Sequence, residues 1–147
     1  MRRHILTLCV APGLFLLCSA CSDDDKEARR RAAGPSPTRQ AFASVASASA
    51  GASLFGQCAA CHSIGQGSPD LAGPNLFGVM GKPVAQNSPR FGYTAALQRL
   101  GGTWTPERLD AWLKNPREVA PGTSMAFPGL ADPLDRADVI AFLSTQR

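Results

Sequence analysis

The sequence predicts an all-α domain of three to five helices closed around one covalently held cofactor, preceded by an export segment and a flexible linker. Three observations predict it. A Cys58-Ala59-Ala60-Cys61-His62 run supplies two thiols and an imidazole on one short stretch. Two helix starts follow it, Thr105-Pro106-Glu107 and Asp132-Pro133-Leu134-Asp135, each with a capping residue, Pro in the first turn and an early acid. No stretch alternates polar and apolar residues at period two, so strands have no support.

The C-x-x-C-H run is the attachment signal of a c-type haem. Each cysteine can add across one vinyl group of the porphyrin, and the histidine then sits beneath the iron as proximal ligand. A structural zinc site needs four ligands, commonly from two separated pairs. After Gly51 the chain has no Cys or His besides Cys58, Cys61 and His62. A thioredoxin-like dithiol needs a βαβ setting, and none is visible. The other cysteines, Cys9, Cys18 and Cys21, belong to the leader, so no disulfide framework is available.

The second axial ligand follows by elimination. The only other histidine is His4, in the leader, and Met1 belongs there too, which leaves Met80 and Met125. Met80 follows the apolar Leu76-Phe77-Gly78-Val79 and reads as a core residue. Met125 lies in Pro121-Gly122-Thr123-Ser124-Met125-Ala126-Phe127-Pro128, a turn-rich loop suited to laying a thioether over a haem face.

Along the chain, residues 1–20 read as an export signal. Arg2, Arg3 and His4 are its positive start, Ile5 to Leu17 its apolar run, and small residues precede Cys21. That run of thirteen residues spans about 20 Å as a helix, short against a bilayer core of about 30 Å. Leu17-Cys18-Ser19-Ala20-Cys21 resembles a bacterial lipoprotein box with Cys21 as the lipid-bearing residue. Cleavage after Ala20 to a soluble form and an uncleaved anchor are the alternatives. Residues 21–50 read as a flexible tether: opposed charge blocks (Asp23–Asp25, Arg29–Arg31), Pro35-Ser36-Pro37 and an Ala/Ser run, with few bulky apolar residues to repay ordering. Such a coil would reach roughly 30 Å.

Residues 51–147 form the expected domain. A short helix should run from Gly51 into the haem motif. A second should cover Tyr93 to Leu100, ended by Gly101-Gly102. A third should start at Thr105, bury Leu109, Trp112 and Leu113, and stop before Pro116. A last should follow Asp132, with Val139, Ile140, Phe142 and Leu143 as its apolar face. From Gly51 on, eight basic residues face seven acids. No basic stripe with interleaved aromatics occurs, so nucleic-acid binding is not supported.

Residues 51–147 resemble a class I cytochrome c, of the kind that includes mitochondrial cytochrome c, bacterial c2 and membrane-tethered relatives. The resemblance places Cys58 and Cys61 at the thioether positions and His62 at the proximal ligand. It implies that the Pro74 carbonyl orients His62, that Tyr93 and Trp104 hydrogen-bond a haem propionate, and that Met125 is the distal ligand. Gly51, Phe55, Val139 and Phe142 match the contact of first and last helices. Three positions depart from the family pattern. Trp112 stands where a Tyr near the methionine sulfur is usual, Lys82 where an Arg often braces the propionates, and Ser124 in place of a Lys beside the ligand. The domain has two lysines, so the lysine ring of mitochondrial members is absent.

The resemblance implies a monohaem one-electron carrier and not an enzyme. It would be a monomer on the periplasmic side of a bacterial membrane, in a respiratory or photosynthetic chain. A quinol–cytochrome c reductase would be the donor and a terminal oxidase the acceptor, with a membrane attachment through an N-terminal lipid or anchor. A dedicated subunit of a dehydrogenase or reductase, and a haem sensor with an open sixth position, are the competing readings.

Overall fold

The computed structural model describes residues 20–147, with side chains from Asp25 onward. The expected export signal therefore lies outside the described residues. Eight helices follow one another among them: α1 (Ala20–Ala33), α2 (Arg39–Ser44), α3 (Ala48–Leu54), α4 (Gly56–Ala59), α5 (Ala95–Gln98), α6 (Pro106–Lys114), α7 (Pro116–Val119) and α8 (Pro133–Thr145). No strand occurs among the described residues beyond a single antiparallel bridge between Pro83 and Thr103. The all-α expectation holds. Within the domain, α4, α5 and α7 are single turns, and α3, α6 and α8 are the longer helices.

The helix starts are set by local chemistry. Thr94, Thr105 and Asp132 cap α5, α6 and α8, their side chains accepting from Leu97, Arg108 and Leu134 N–H. Pro106, Pro116 and Pro133 occupy first turns, where a missing N–H costs nothing. The domain begins slightly earlier than Gly51, because Ser47 caps α3 by accepting from Ala50 N–H.

The frame is the crossing of α3 and α8. Gly51 is buried there, and a Cβ on it would overlap the Asp138 carbonyl and come within 2.9 Å of Phe142 Cβ. The close approach brings Phe55 against Phe142, with ring centroids 5.3 Å apart. One core collects Phe55, Val79, Val84, Trp104, Leu109, Trp112, Leu113, Val139 and Leu143.

Residues 21–50 are not the flexible linker expected from composition. The chain folds here into α1, α2 and the start of α3; α2 and α3 pack on α8, and α1 packs on α2 and reaches α8 through its cationic side chains. The opposed charge blocks are spaced for pairing one turn apart: Arg29 Nε lies 3.2 Å from Asp25 Oδ2, and Arg31 Nη1 3.6 Å from Glu27 Oε1. Acids lie at the N-terminal end of α1 and arginines at its last turn, the arrangement that suits the helix dipole. A second row, Lys26, Arg29 and Arg30, meets acids of the domain. Lys26 pairs with Asp132 at 3.0 Å and also with Asp135, Arg30 pairs with Asp132, and Arg29 Nη1 donates to Asp138 Oδ1 at 2.6 Å. In α2, Phe42 is buried against Leu134 and Ala137, with Ala33, Val45 and Ala46 around it. Composition missed this because the apolar anchor is one residue and the remaining attraction is ionic.

The ionisation of the contact follows its geometry. Burial pushes the Asp132 carboxyl up. Hydrogen bonds from Lys26 and the Leu134 N–H, with the charges of Lys26 and Arg30, outweigh this and hold it below its ordinary range. The hydrogen bond to Asp138 leads the effects that raise Arg29.

Gly51→Ala is expected to destabilise the holoprotein by about 3 kcal/mol, as overpacking against rigid backbone does. Guanidinium unfolding followed by tryptophan fluorescence checks it. Gly56→Ala, which has open space around its Cβ position, is the control.

Candidate haem site

A cavity of about 510 Å³ opens in the domain. It is within the range of pockets that hold compact organic ligands, about 300–1,000 Å³. The expected site residues Cys58, Cys61, His62, Pro74, Tyr93, Trp104 and Met125 all line it, and no Asp, Glu, Lys or Arg does. Met80 is not among its lining residues and packs against the core instead. The cavity has what a porphyrin requires: apolar walls for the ring, two thiols for its vinyl groups, and an imidazole and a thioether for the metal.

The motif is placed by α3 and α4. Phe55 N–H donates to Gly51 O, Cys58 N–H to Phe55 O, and His62 N–H to Cys58 O. The helical turns thus carry directly from the α3–α8 crossing into the two cysteines. Cys58 is partly buried against the core, whereas Cys61 is exposed. Burial pushes the Cys58 thiol up from its ordinary value, opposite to the depressed thiol of a redox-active dithiol.

His62 is fixed from both sides. Its Nδ1 lies 2.8 Å from the Pro74 carbonyl oxygen. A carbonyl only accepts, so Nδ1 carries the proton and Nε2 keeps the lone pair a metal needs. Gly73, buried, leaves room for the ring: a Cβ there would come within 2.7 Å of Nδ1 and 2.9 Å of Nε2. Gly73 N–H donates to Cys61 O at 2.7 Å, tying this segment to the motif.

Tyr93 and Trp104, each with a polar N–H or O–H, are among the residues lining a mostly apolar cavity. The Tyr93 hydroxyl accepts from Ser88 N–H at 3.0 Å, leaving its own hydrogen to donate. Burial comes first among the effects on Tyr93 and raises its pKa, so it remains a neutral donor. Trp112 is buried beside Trp104, with ring centroids 5.5 Å apart.

The Met125 loop is held at both ends. Thr123 Oγ1 accepts from the Met125 N–H at 3.2 Å, and Thr123 N–H donates to Ala120 O. At the far end Leu130 N–H donates to Leu113 O at 2.8 Å. Arg136, buried, donates to the Leu130 and Ala131 carbonyls at 2.8 and 2.9 Å and to Asp110 Oδ1 at 2.7 Å.

Sequence reasoning missed two supports. One is Arg136, an arginine inside an apolar helix pattern. The other is the loop before Tyr93. Asn87 lines the cavity and donates to the Asn75 and Phe77 carbonyls, and Ser88 donates to Asp70 Oδ2 at 2.7 Å. The Ser88 hydrogen bond first, and then one from the Asn75 N–H to Asp70 Oδ1 at 2.8 Å, hold the Asp70 carboxyl below its ordinary range. Only isolated Asn, Ser and Asp residues marked this network in the sequence, and such residues equally mark solvated turns. The apolar residues Leu76, Trp112 and Phe127 line the cavity, while Leu130 packs on the core outside it.

The Cytochrome c family matches this chain over residues 48–147. A cytochrome c homolog from Bradyrhizobium diazoefficiens is 36% identical over 134 residues, covering 91% of this chain and 72% of that protein. That likeness runs on ahead of residue 48. Cytochrome c2 from Rhodomicrobium vannielii is 46% identical over 96 residues, 65% of this chain and 76% of the relative. Among solved structures, cytochrome cH from Methylobacterium extorquens superposes with a TM-score of 0.64 at 37% identity, covering 67% of this chain and 98% of that one. With the C-x-x-C-H motif at the cavity and the family match spanning the whole domain, the chain belongs to the cytochrome c family, whose members are electron carriers, and takes one haem c through Cys58 and Cys61.

Proposed function

We propose that this protein is a one-electron shuttle of an exported, membrane-attached redox chain, with His62 and Met125 as the two axial ligands. The observation that carries the reading is the convergence of seven expected residues on one uncharged cavity, with Met125 at its wall and Met80 away from it. When bound, the haem supplies one iron-centred electron at a potential that a Met/His pair sets high. The residues of the chain do the rest. Pro74 fixes the imidazole, Thr123 and Arg136 fix the methionine loop, and Tyr93 and Trp104 offer donors to the propionates. Leu76, Trp112 and Phe127 exclude water. With His62 and Met125 both holding the iron, no position would be left for a substrate, which would favour electron transfer over catalysis or sensing.

Donor and acceptor are read from the family as a quinol–cytochrome c reductase and a terminal oxidase. The face they would meet carries little charge. Exposed residues at the cavity mouth include Gln57, Cys61, Ala72, Ser124, Ala126 and Pro128, and Leu71 beside them is 49% exposed. Partners suited to that face dock by apolar contact more than by salt-sensitive steering. Attachment to the periplasmic side of the membrane rests on the Cys21 lipoprotein box. No helix among the described residues is long and apolar enough to cross a membrane.

Met125→Ala is expected to abolish the weak sulfur-to-iron charge-transfer band of the oxidised protein. It should also lower the potential by a sizeable part of the about 0.8 V that axial ligation spans, while Met80→Ala keeps the band. Visible spectra and potentiometric titration check both, and a band that survives Met125→Ala contradicts the ligand assignment. Cys21→Ser is expected to move the protein from the membrane fraction to the soluble periplasmic fraction, read by fractionation and haem staining.

A further inference from the structure

The acids of the domain are distributed unevenly. Asp132, Asp135 and Asp138 stand at successive turns of α8, and Glu107 opens α6. Each of these four is met by a cation from the preceding segment: Lys26 and Arg30 on Asp132, Lys26 on Asp135, Arg29 on Asp138, and Arg39 on Glu107 at 2.6 Å. The match is one of register. Lys26, Arg29 and Arg30 share one face of α1, as the three aspartates share one face of α8.

Asp138 makes the contact more than a surface pairing. Its side chain is 1% exposed, and its Oδ1 receives both Arg29 Nη1 and the Ser47 N–H at 2.7 Å. Its Oδ2 has no partner among the described residues. A buried carboxylate deprived of its cation is strongly destabilised. Phe42 adds an apolar peg on the same helix, between Leu134 and Ala137.

We propose that residues 20–47 are an electrostatic clasp that fixes the haem domain to its own N-terminal segment, closed at low salt and loosened by salt. The clasp replaces a coil of wide reach with a mount of fixed orientation. Whatever holds the chain ahead of residue 20 then sets where the haem edge sits relative to its partners. The clasp depends on α8 and not on the axial ligands, so it stands or falls apart from the proposed ligation.

Hydrogen exchange read by mass spectrometry on the full-chain holoprotein tests it, with the visible spectrum of each sample reporting the haem site. In 20 mM KCl, amides of α1 and α2 should exchange at least about tenfold more slowly than in a free chain, a factor worth about 1.4 kcal/mol. Raising KCl to 500 mM, or introducing Lys26→Gln with Arg30→Gln, should lower that protection several-fold while α3 to α8 keep theirs. Exchanging the two cations, Lys26→Arg with Arg30→Lys, keeps both charges and leaves the Asp132 cap of α8 in place, and should retain that protection. Free-chain exchange over α1 and α2 at 20 mM KCl overturns the proposal. So does protection that neither salt nor the double substitution changes.

Discussion

The α3–α8 crossing at Gly51 is the constraint on which the rest of the structure depends. Only a residue without Cβ lets the α3 backbone come this close to the Asp138 carbonyl. The approach sets the direction in which the chain leaves α3. One turn later Phe55 is locked on Phe142, and one more turn delivers Cys58 to the cavity. On the other side the same crossing turns Val139 and Leu143 into cavity wall. A shift of either helix would move the cysteine pair and the opposing apolar surface together.

Within that frame the cavity divides its chemistry between backbone and side chains. It has no charged lining residue, yet the residues proposed to hold the haem are tied in place by hydrogen bonds. The orientation comes from carbonyls and short polar side chains: Pro74 O for His62, Thr123 Oγ1 for the Met125 N–H, Ser88 N–H for the Tyr93 hydroxyl. Neutral partners fix geometry without adding a local charge that would favour one oxidation state. That suits a centre whose net charge changes by one unit each time it works, and whose potential follows burial and axial ligation.

Legibility in the sequence tracked how local each signal was. Cys58 to His62, the caps at Thr105 and Asp132, and the turn-rich run before Met125 declare themselves within a few residues, and all lie where expected. Residues 21–50 were misread because their stabilising partners are distant. Arg29 finds Asp138 across more than a hundred positions, and nothing in Asp-Asp-Asp-Lys-Glu-Ala-Arg-Arg-Arg announces an aspartate row elsewhere. Composition gauges apolar content, and ion pairing in register is invisible to it. Asn87 and Ser88 were missed for a related reason: a turn residue that braces a site looks the same as one that meets water.

The last helix shows the limit of periodicity most clearly. Its sequence suggested one apolar face, Val139, Ile140, Phe142 and Leu143, yet Leu134, Arg136, Ala137 and Asp138 are buried as well. A helix surrounded on all sides has no single wet face, and amphipathic spacing then carries little information. Successive residues of α8 serve different neighbours: Leu134 and Ala137 receive Phe42, Arg136 anchors the end of the methionine loop, Asp138 holds Arg29, and Val139 lines the cavity. The buried charges are tolerated because each has a fixed partner from a different part of the chain. Arg136 has Asp110 and two carbonyls, and Asp138 has Arg29 and the Ser47 N–H. Removing residues 20–47 would therefore leave Asp138 as a buried carboxylate without its cation, next to the backbone on which Gly51 packs. The preceding segment thus completes the domain's electrostatic balance from outside the core that α3 and α8 build.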